Sequence, residues 1–210
     1  MVPEDRRRSV EFKPLPCYEG HGEGKTYSHF APLFHESDDS GLYTLAGVML
    51  FVRFLIDVSR QTVQNEFQVF PATLVSIAVD EIERRAAEGQ LGDEDSRILG
   101  LIGRKLSEIT RQADKAGRYG RHFTVLLTRT MALQVRNFYA PRTTEYLREV
   151  AASEGLETTF SFGVASLTEH AIRDTDDMFR KSVRALEEAK KQGPGCLVIY
   201  DFRTMPLETD

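Results

Sequence analysis

The sequence predicts an α/β (α+β) fold, in which helices pack on a central sheet, and three observations carry the prediction. Apolar residues recur at helical spacing in four segments, while short apolar runs bounded by turn residues lie between them and read as strands. The resulting order is helix, strand, helix, hairpin, helix, strand, helix, strand, with no internal repeat. The 210-residue chain is 41% hydrophobic and 28% charged, which is ordinary usage for one domain with an arm.

Each element has its own signal. Residues 1–37 mix Arg6, Arg7 and Arg8 with prolines and EGHGEGK, hold no period, and read as a flexible N-terminal arm too short for a sensor domain. From residue 38, Leu42, Leu45, Val48, Val52, Leu55 and Ile56 recur at helical spacing behind an Asp/Ser cluster suited to capping a helix start. FPATLVSIAVD at 70–80 is a continuous apolar run entered through proline, as expected of a central strand covered on both faces. Ile98, Ile102, Leu106 and Ile109 mark an amphipathic helix expected to end near Ala113. RQADKAGRYGRHFTVLL at 111–127 reads as strand, turn, strand. A helix with Tyr146, Leu147 and Val150 inward follows, then TTFSFGVASL, whose Phe160, Phe162 and Val164 alternate with small residues and belong in the core. A last helix carries Phe179, Val183 and Leu186, and CLVIYD closes the domain as a strand near residue 202, before a tail at 203–210.

Composition removes several function classes. A net charge of -5 and a pI near 5.6 give no basic field for nucleic acid, and the three arginines at 6–8 fall short of the 4–8 cationic residues typical of lipid recognition. The longest apolar stretch, 41–56, is interrupted by Arg53 and is shorter than the roughly 20 residues that span a bilayer, so no membrane insertion is expected. Cys17 and Cys196 lie far apart and suggest a reduced, cytoplasmic protein. Cys17, His21, His29 and His35 match no compact zinc spacing, and no metal or cofactor is expected.

Five strings in order resemble the GGDEF domain, the family of diguanylate cyclases that join two GTP molecules into cyclic di-GMP. DSGLY at 39–43 resembles the entry motif DxLTGLxNR and SIAVDEIER the first metal strand. RYGRHFTVLL resembles the signature hairpin RYGGDEFxVLL, SFGVA the strand SIGVA, and RALEEAKKQG the end of the last helix. The resemblance covers about 38–202 and implies a cyclase-like palm, a central mainly antiparallel sheet of about five strands flanked by helices.

Set against the family's chemistry, the catalytic positions are altered. Two divalent cations need carboxylate oxygens, yet the first metal-binding Asp aligns with Ala78, and only the second acidic position of that strand is matched, by Asp80. After Gly120 come Arg121, His122 and Phe123 where the family has GDEF, so one turn residue is missing and the acids are replaced by arginine and histidine. A guanidinium puts fixed positive charge where cations should bind. The Asn of FKxxND falls on Ala86, the guanine-binding Asp on Asp95, and the phosphate-binding Lys and Arg of AKxxGR on Lys190 and Pro194. Asp80, Asp95 and Lys190 are therefore a residual nucleotide site or fold relics, and Arg121 and His122 are expected as solvated hairpin surface.

One feature survives in register. Arg111 and Asp114 stand ahead of Gly120 at the spacing of the family's inhibitory RxxD site for cyclic di-GMP. An arginine fork suits a guanine edge or a phosphate, and the carboxylate suits the guanine amino group. RxxD is a cheap pattern, since Arg173 and Asp176 form a second copy without that context. The resemblance implies a catalytically inactive receptor that binds cyclic di-GMP through Arg111 and Asp114, with Arg142 of a neighbouring protomer completing the site, and forms a homodimer on binding. The alternative is a ligand-free scaffold that docks an unknown protein partner. An active cyclase would have to rest on Asp80, Asp95 and Lys190 alone.

Overall fold

The computed structural model describes residues 41–64 and 71–206, so the expected arm at 1–37, with its histidines and arginines, lies outside the described residues. A short strand β1 (Tyr43–Thr44) leads into α1 (Leu45–Gln64), whose first turn is capped by Thr44 Oγ1 accepting from the Gly47 N–H at 3.1 Å. Then come β2 (Ala72–Val79), α2 (Asp80–Ala87) and α3 (Asp93–Ile109), the hairpin β3 (Lys115–Tyr119) and β4 (His122–Thr128), and a short α4 (Ala132–Gln134). A π-helical turn (Val135–Tyr139) passes into α5 (Ala140–Ser153), and β5 (Phe160–Ser166), α6 (Thr175–Gln192) and β6 (Leu197–Ile199) complete the domain.

The sheet has six strands in the order β1-β3-β4-β2-β5-β6. The three inner pairings, β3 with β4, β4 with β2 and β2 with β5, are antiparallel, whereas the edges β1 and β6 pair parallel to β3 and β5. This is the mainly antiparallel palm that the sequence suggests, with one more strand. The extra strand is β1, two residues long and absorbed by the helical pattern around it.

Period-2 alternation splits β2 between two cores. Val75, Ile77 and Val79 join Phe123, Phe160 and Phe162 beneath α3 and α5, while Ala72 and Leu74 face Val48, Val52 and Ile56 of α1 and Met178 of α6. All eight β2 residues are buried, as a strand covered on both faces requires. Gly163 allows α6 to sit against β5: a Cβ there would lie 2.2 Å from Leu186 N and from the Ser182 carbonyl oxygen.

Two boundaries differ from the sequence expectation. Helix α3 stops at Ile109, because Thr110 is extended (φ -78, ψ 130) and turns its hydroxyl back onto the Leu106 carbonyl at 2.6 Å. The following residues, 111–114, form a tight turn closed by the Asp114 N–H donating to the Arg111 carbonyl at 2.9 Å. The shortened signature turn closes as a two-residue loop between the paired Tyr119 and His122, with Gly120 supplying a positive φ of 59°.

Candidate functional site

The β3–β4 hairpin carries a polar cluster at each end. At its turn, Glu83 of α2 receives three basic side chains. Arg121 Nε lies 3.1 Å from Glu83 Oε1, while Lys190 Nζ of α6 lies 2.7 Å and His122 Nε2 3.2 Å from Oε2. The imidazole contact is within charge-pairing range but off the direction that a hydrogen bond requires. Lys190 also reaches Glu187 at 3.1 Å. The Glu83 side chain is only 14% exposed. The His122 imidazole and the Lys190 ammonium hold its carboxyl well below the usual carboxylate range, against the burial that alone would raise it. Burial would lower the Lys190 ammonium, but its bonds to Glu83 and Glu187 leave it above its ordinary value.

This corrects the expectation of a solvated hairpin tip. His122 is 19% exposed and packs at 5.3 Å from the Tyr119 ring, and Arg121, although 44% exposed, is tied to Glu83. Glu83 itself escaped the sequence reading. Counting back three positions from Ala86 in the segment aligned with FKxxND places the lysine of that motif on Glu83. The two ends of the contact have thus exchanged signs relative to the family pattern: acid where it has lysine, base where it has acid.

The other residual positions are occupied by the fold. Asp80 accepts from Ser161 Oγ at 2.6 Å, Thr159 Oγ1 at 2.5 Å and the Gly195 N–H at 2.7 Å, fastening the start of β5 and the loop after α6. Asp95, buried in the first turn of α3, accepts from the Gly92 N–H at 2.9 Å and from Arg85 at 2.8 Å. Asp80 and Lys190 line one pocket of about 860 Å³ together with Glu83, Arg148, Thr158 and Pro194, whereas Asp95 faces Arg85 and does not line it. Ala78 is fully buried. The divalent cations of the family reaction do not fit here: Ala78 offers no oxygen, those of Asp80 already accept hydrogen bonds, and an arginine and a histidine stand where acids would be. Among the described residues no group of three or more His, Cys, Asp or Glu is placed to hold a metal ion.

At the opposite end of the hairpin, a pocket of about 650 Å³ brings together Arg111, Asp114 and Arg142, with Arg129, Phe138 and Tyr139 also in its wall. Asp114 is buried and uses Oδ1 to accept from the Thr128 N–H at 2.8 Å and the Thr128 hydroxyl at 3.0 Å, clasping the end of β4 to the start of β3. Arg111 and Arg142 are exposed, and neither forms a hydrogen bond or ion pair with another described side chain. Arg142, expected from a second protomer, lines the pocket from its own chain, because α5 begins beside it with Pro141 in its first turn. Arg129, Phe138 and Tyr139 were not anticipated; they come from the β4–α5 connection, whose π-helical turn has no simple sequence signal.

The sequence model of the diguanylate cyclase GGDEF domain matches residues 89–196, just over half of the chain. The chain belongs to the GGDEF family. Among solved structures, this GGDEF chain is similar to the GGDEF domain of YfiN from Pseudomonas aeruginosa (18% identity, TM-score 0.61, covering 80% of this chain and 95% of that one). It is also similar to the active GGEEF domain of a diguanylate cyclase from Vibrio cholerae (20% identity, TM-score 0.57, 75% and 97%). A third likeness is to the GGDEF domain of DgcB from Caulobacter crescentus in complex with c-di-GMP (15% identity, TM-score 0.55, 76% and 89%). At these identities the likeness establishes the fold. No curated protein matches the chain. No helix among the described residues is long and apolar enough to cross a membrane.

Proposed function

We propose that this GGDEF domain does not condense GTP and serves as a cytoplasmic receptor for cyclic di-GMP, bound in the pocket of Arg111, Asp114 and Arg142, with ligand occupancy favouring a homodimer. The observation that carries the reading is the convergence of these three residues in one pocket, two of them guanidinium groups that pair with no other described side chain. Such groups suit the phosphates and guanine edges of a cyclic dinucleotide. A GGDEF domain of the same fold from Caulobacter crescentus is known in complex with that ligand.

Loss of turnover is supported at the other end of the hairpin. Phosphoryl transfer depends on cations and positioned charge around the triphosphate. Glu83 draws Arg121, His122 and Lys190 onto itself, and the family's acidic ligands are missing at 78, 121 and 122.

A second reading rests on one contact: the two hydrogen bonds from Thr128 give Asp114 a sufficient structural role, as a ligand-free scaffold with a protein partner would need. The readings separate on Arg111, whose exposed side chain bonds to no other described side chain. Calorimetric titration of the purified chain with cyclic di-GMP, with GTP as control and light scattering for mass, decides between them. The receptor reading expects saturable binding in the micromolar range or tighter, about -8 kcal/mol, lost in Arg111→Ala. Absence of heat and of any mass change would leave the scaffold.

A further inference from the structure

Phe138 is the most exposed large apolar side chain of the described residues, at 71%, and it lies in the wall of the arginine-lined pocket. Met131 and Leu133 on the same connection are also exposed, but neither lines the pocket. Phe138 is held by the π-helical turn Val135–Tyr139, a geometry that takes up well under 1% of residues and is frequent at functional sites. Within that turn Val135 is fully buried and Tyr139 half-buried, which fixes the backbone and leaves the Phe138 ring outward. Pro141, in the first turn of α5, stiffens the exit.

The pocket therefore offers two chemistries side by side. Arg111, Arg129 and Arg142 outnumber the carboxylates Asp114 and Glu145, so the wall favours an anion. Phe138 adds a flat apolar face that a phosphate or sulfate alone would leave in water. A ligand that joins phosphate to a planar heterocycle satisfies both, because any base can stack on an aromatic ring whatever its hydrogen-bonding edge.

Building on the receptor reading, we propose that Phe138 is the stacking platform for one base of the bound dinucleotide, supplied by the same chain that supplies Arg111 and Arg142. The chain has no tryptophan, so Phe138→Trp creates a single reporter at the proposed contact. Cyclic di-GMP is expected to quench its fluorescence along the same isotherm that calorimetry measures, with affinity close to wild type. Phe138→Leu keeps an apolar side chain but removes the ring face, and is expected to weaken binding about tenfold, as is Phe138→Ala. Unchanged melting temperatures are expected for all three variants of this exposed residue.

Wild-type affinity in Phe138→Leu and Phe138→Ala, or no quenching in a Phe138→Trp variant that binds by calorimetry, would overturn the platform while leaving the receptor standing. If the wild-type chain binds no cyclic di-GMP, the receptor reading fails and the platform fails with it.

Discussion

Glu83 and Lys190, 107 residues apart, are joined at 2.7 Å, and this bond ties α2 to α6 at the end of the sheet where Arg121 and His122 also converge. The carboxylate is the hub: without it, two cationic side chains and the His122 imidazole would face one another. Glu83→Gln is expected to destabilise the domain by about 1–2 kcal/mol, a fall of a few degrees in melting temperature at neutral pH.

The same residue sets a pH dependence. Its carboxyl is held below its ordinary value of 4.5 in the folded chain, so the unfolded chain takes up the proton first as pH falls. The stability that Glu83 contributes is full above about pH 4.5 and is lost as pH drops toward the depressed folded-state value. Melting curves of wild type and Glu83→Gln should differ most at neutral pH and converge in acid. A gap that stayed constant down to pH 3 would remove the Glu83 carboxylate as its cause.

Arg111 and Asp114 should part company on mutation. Asp114→Ala leaves the half-buried Thr128 N–H without this acceptor and empties a buried carboxylate position, and is expected to cost about 1–3 kcal/mol. Arg111→Ala, at an exposed position, should change stability by no more than about 0.5 kcal/mol. Denaturant unfolding of the two variants measures both, and equal losses would contradict the division of roles between them.

Reinstating acids at the hairpin should not be sufficient for catalysis. The Arg121→Asp, His122→Glu double variant still lacks an oxygen at Ala78, and it sets two acids beside Glu83. Chromatography of reactions with GTP and Mg²⁺ or Mn²⁺ is expected to find no cyclic dinucleotide from this variant or from wild type. Product from the wild-type chain would refute the proposal that this domain does not condense GTP.

Gly163→Ala should be among the most damaging single changes. Its methyl group would meet α6 backbone at 2.2 Å, where no side-chain rotation can relieve the clash, and a loss of about 3 kcal/mol or more is expected in denaturant unfolding. Near-wild-type stability would mean that α6 can lift from β5.

Much of the fold was legible because periodicity is local. The buried run of β2, the inward Phe160 and Phe162, and the hairpin all follow from alternation along a few residues. The two-residue β1 is too short to have a period, and α3 ends at Thr110 through one side-chain bond that its helical pattern does not announce. At the site, register alone picked out Arg111 and Asp114. The partners that give Arg121, His122 and Asp80 their roles lie tens of residues away in sequence, as with Glu83 and Ser161, and Arg142 reaches the pocket only through a π-helical turn.

The hairpin that separates the two clusters spans about 20 Å of extended chain. Two sites joined by a stiff element exchange free energy only when each can take up a ligand of its own, and the exchange is reciprocal. On the proposal that Glu83 and its basic partners close one end to GTP and its cations, the other has no co-ligand with which to trade. On the receptor reading, occupancy of the Arg111 pocket then tracks one concentration alone. Its half-saturation point should hold steady while magnesium and GTP rise and fall, as befits a gauge decoupled from the supply of the material it measures.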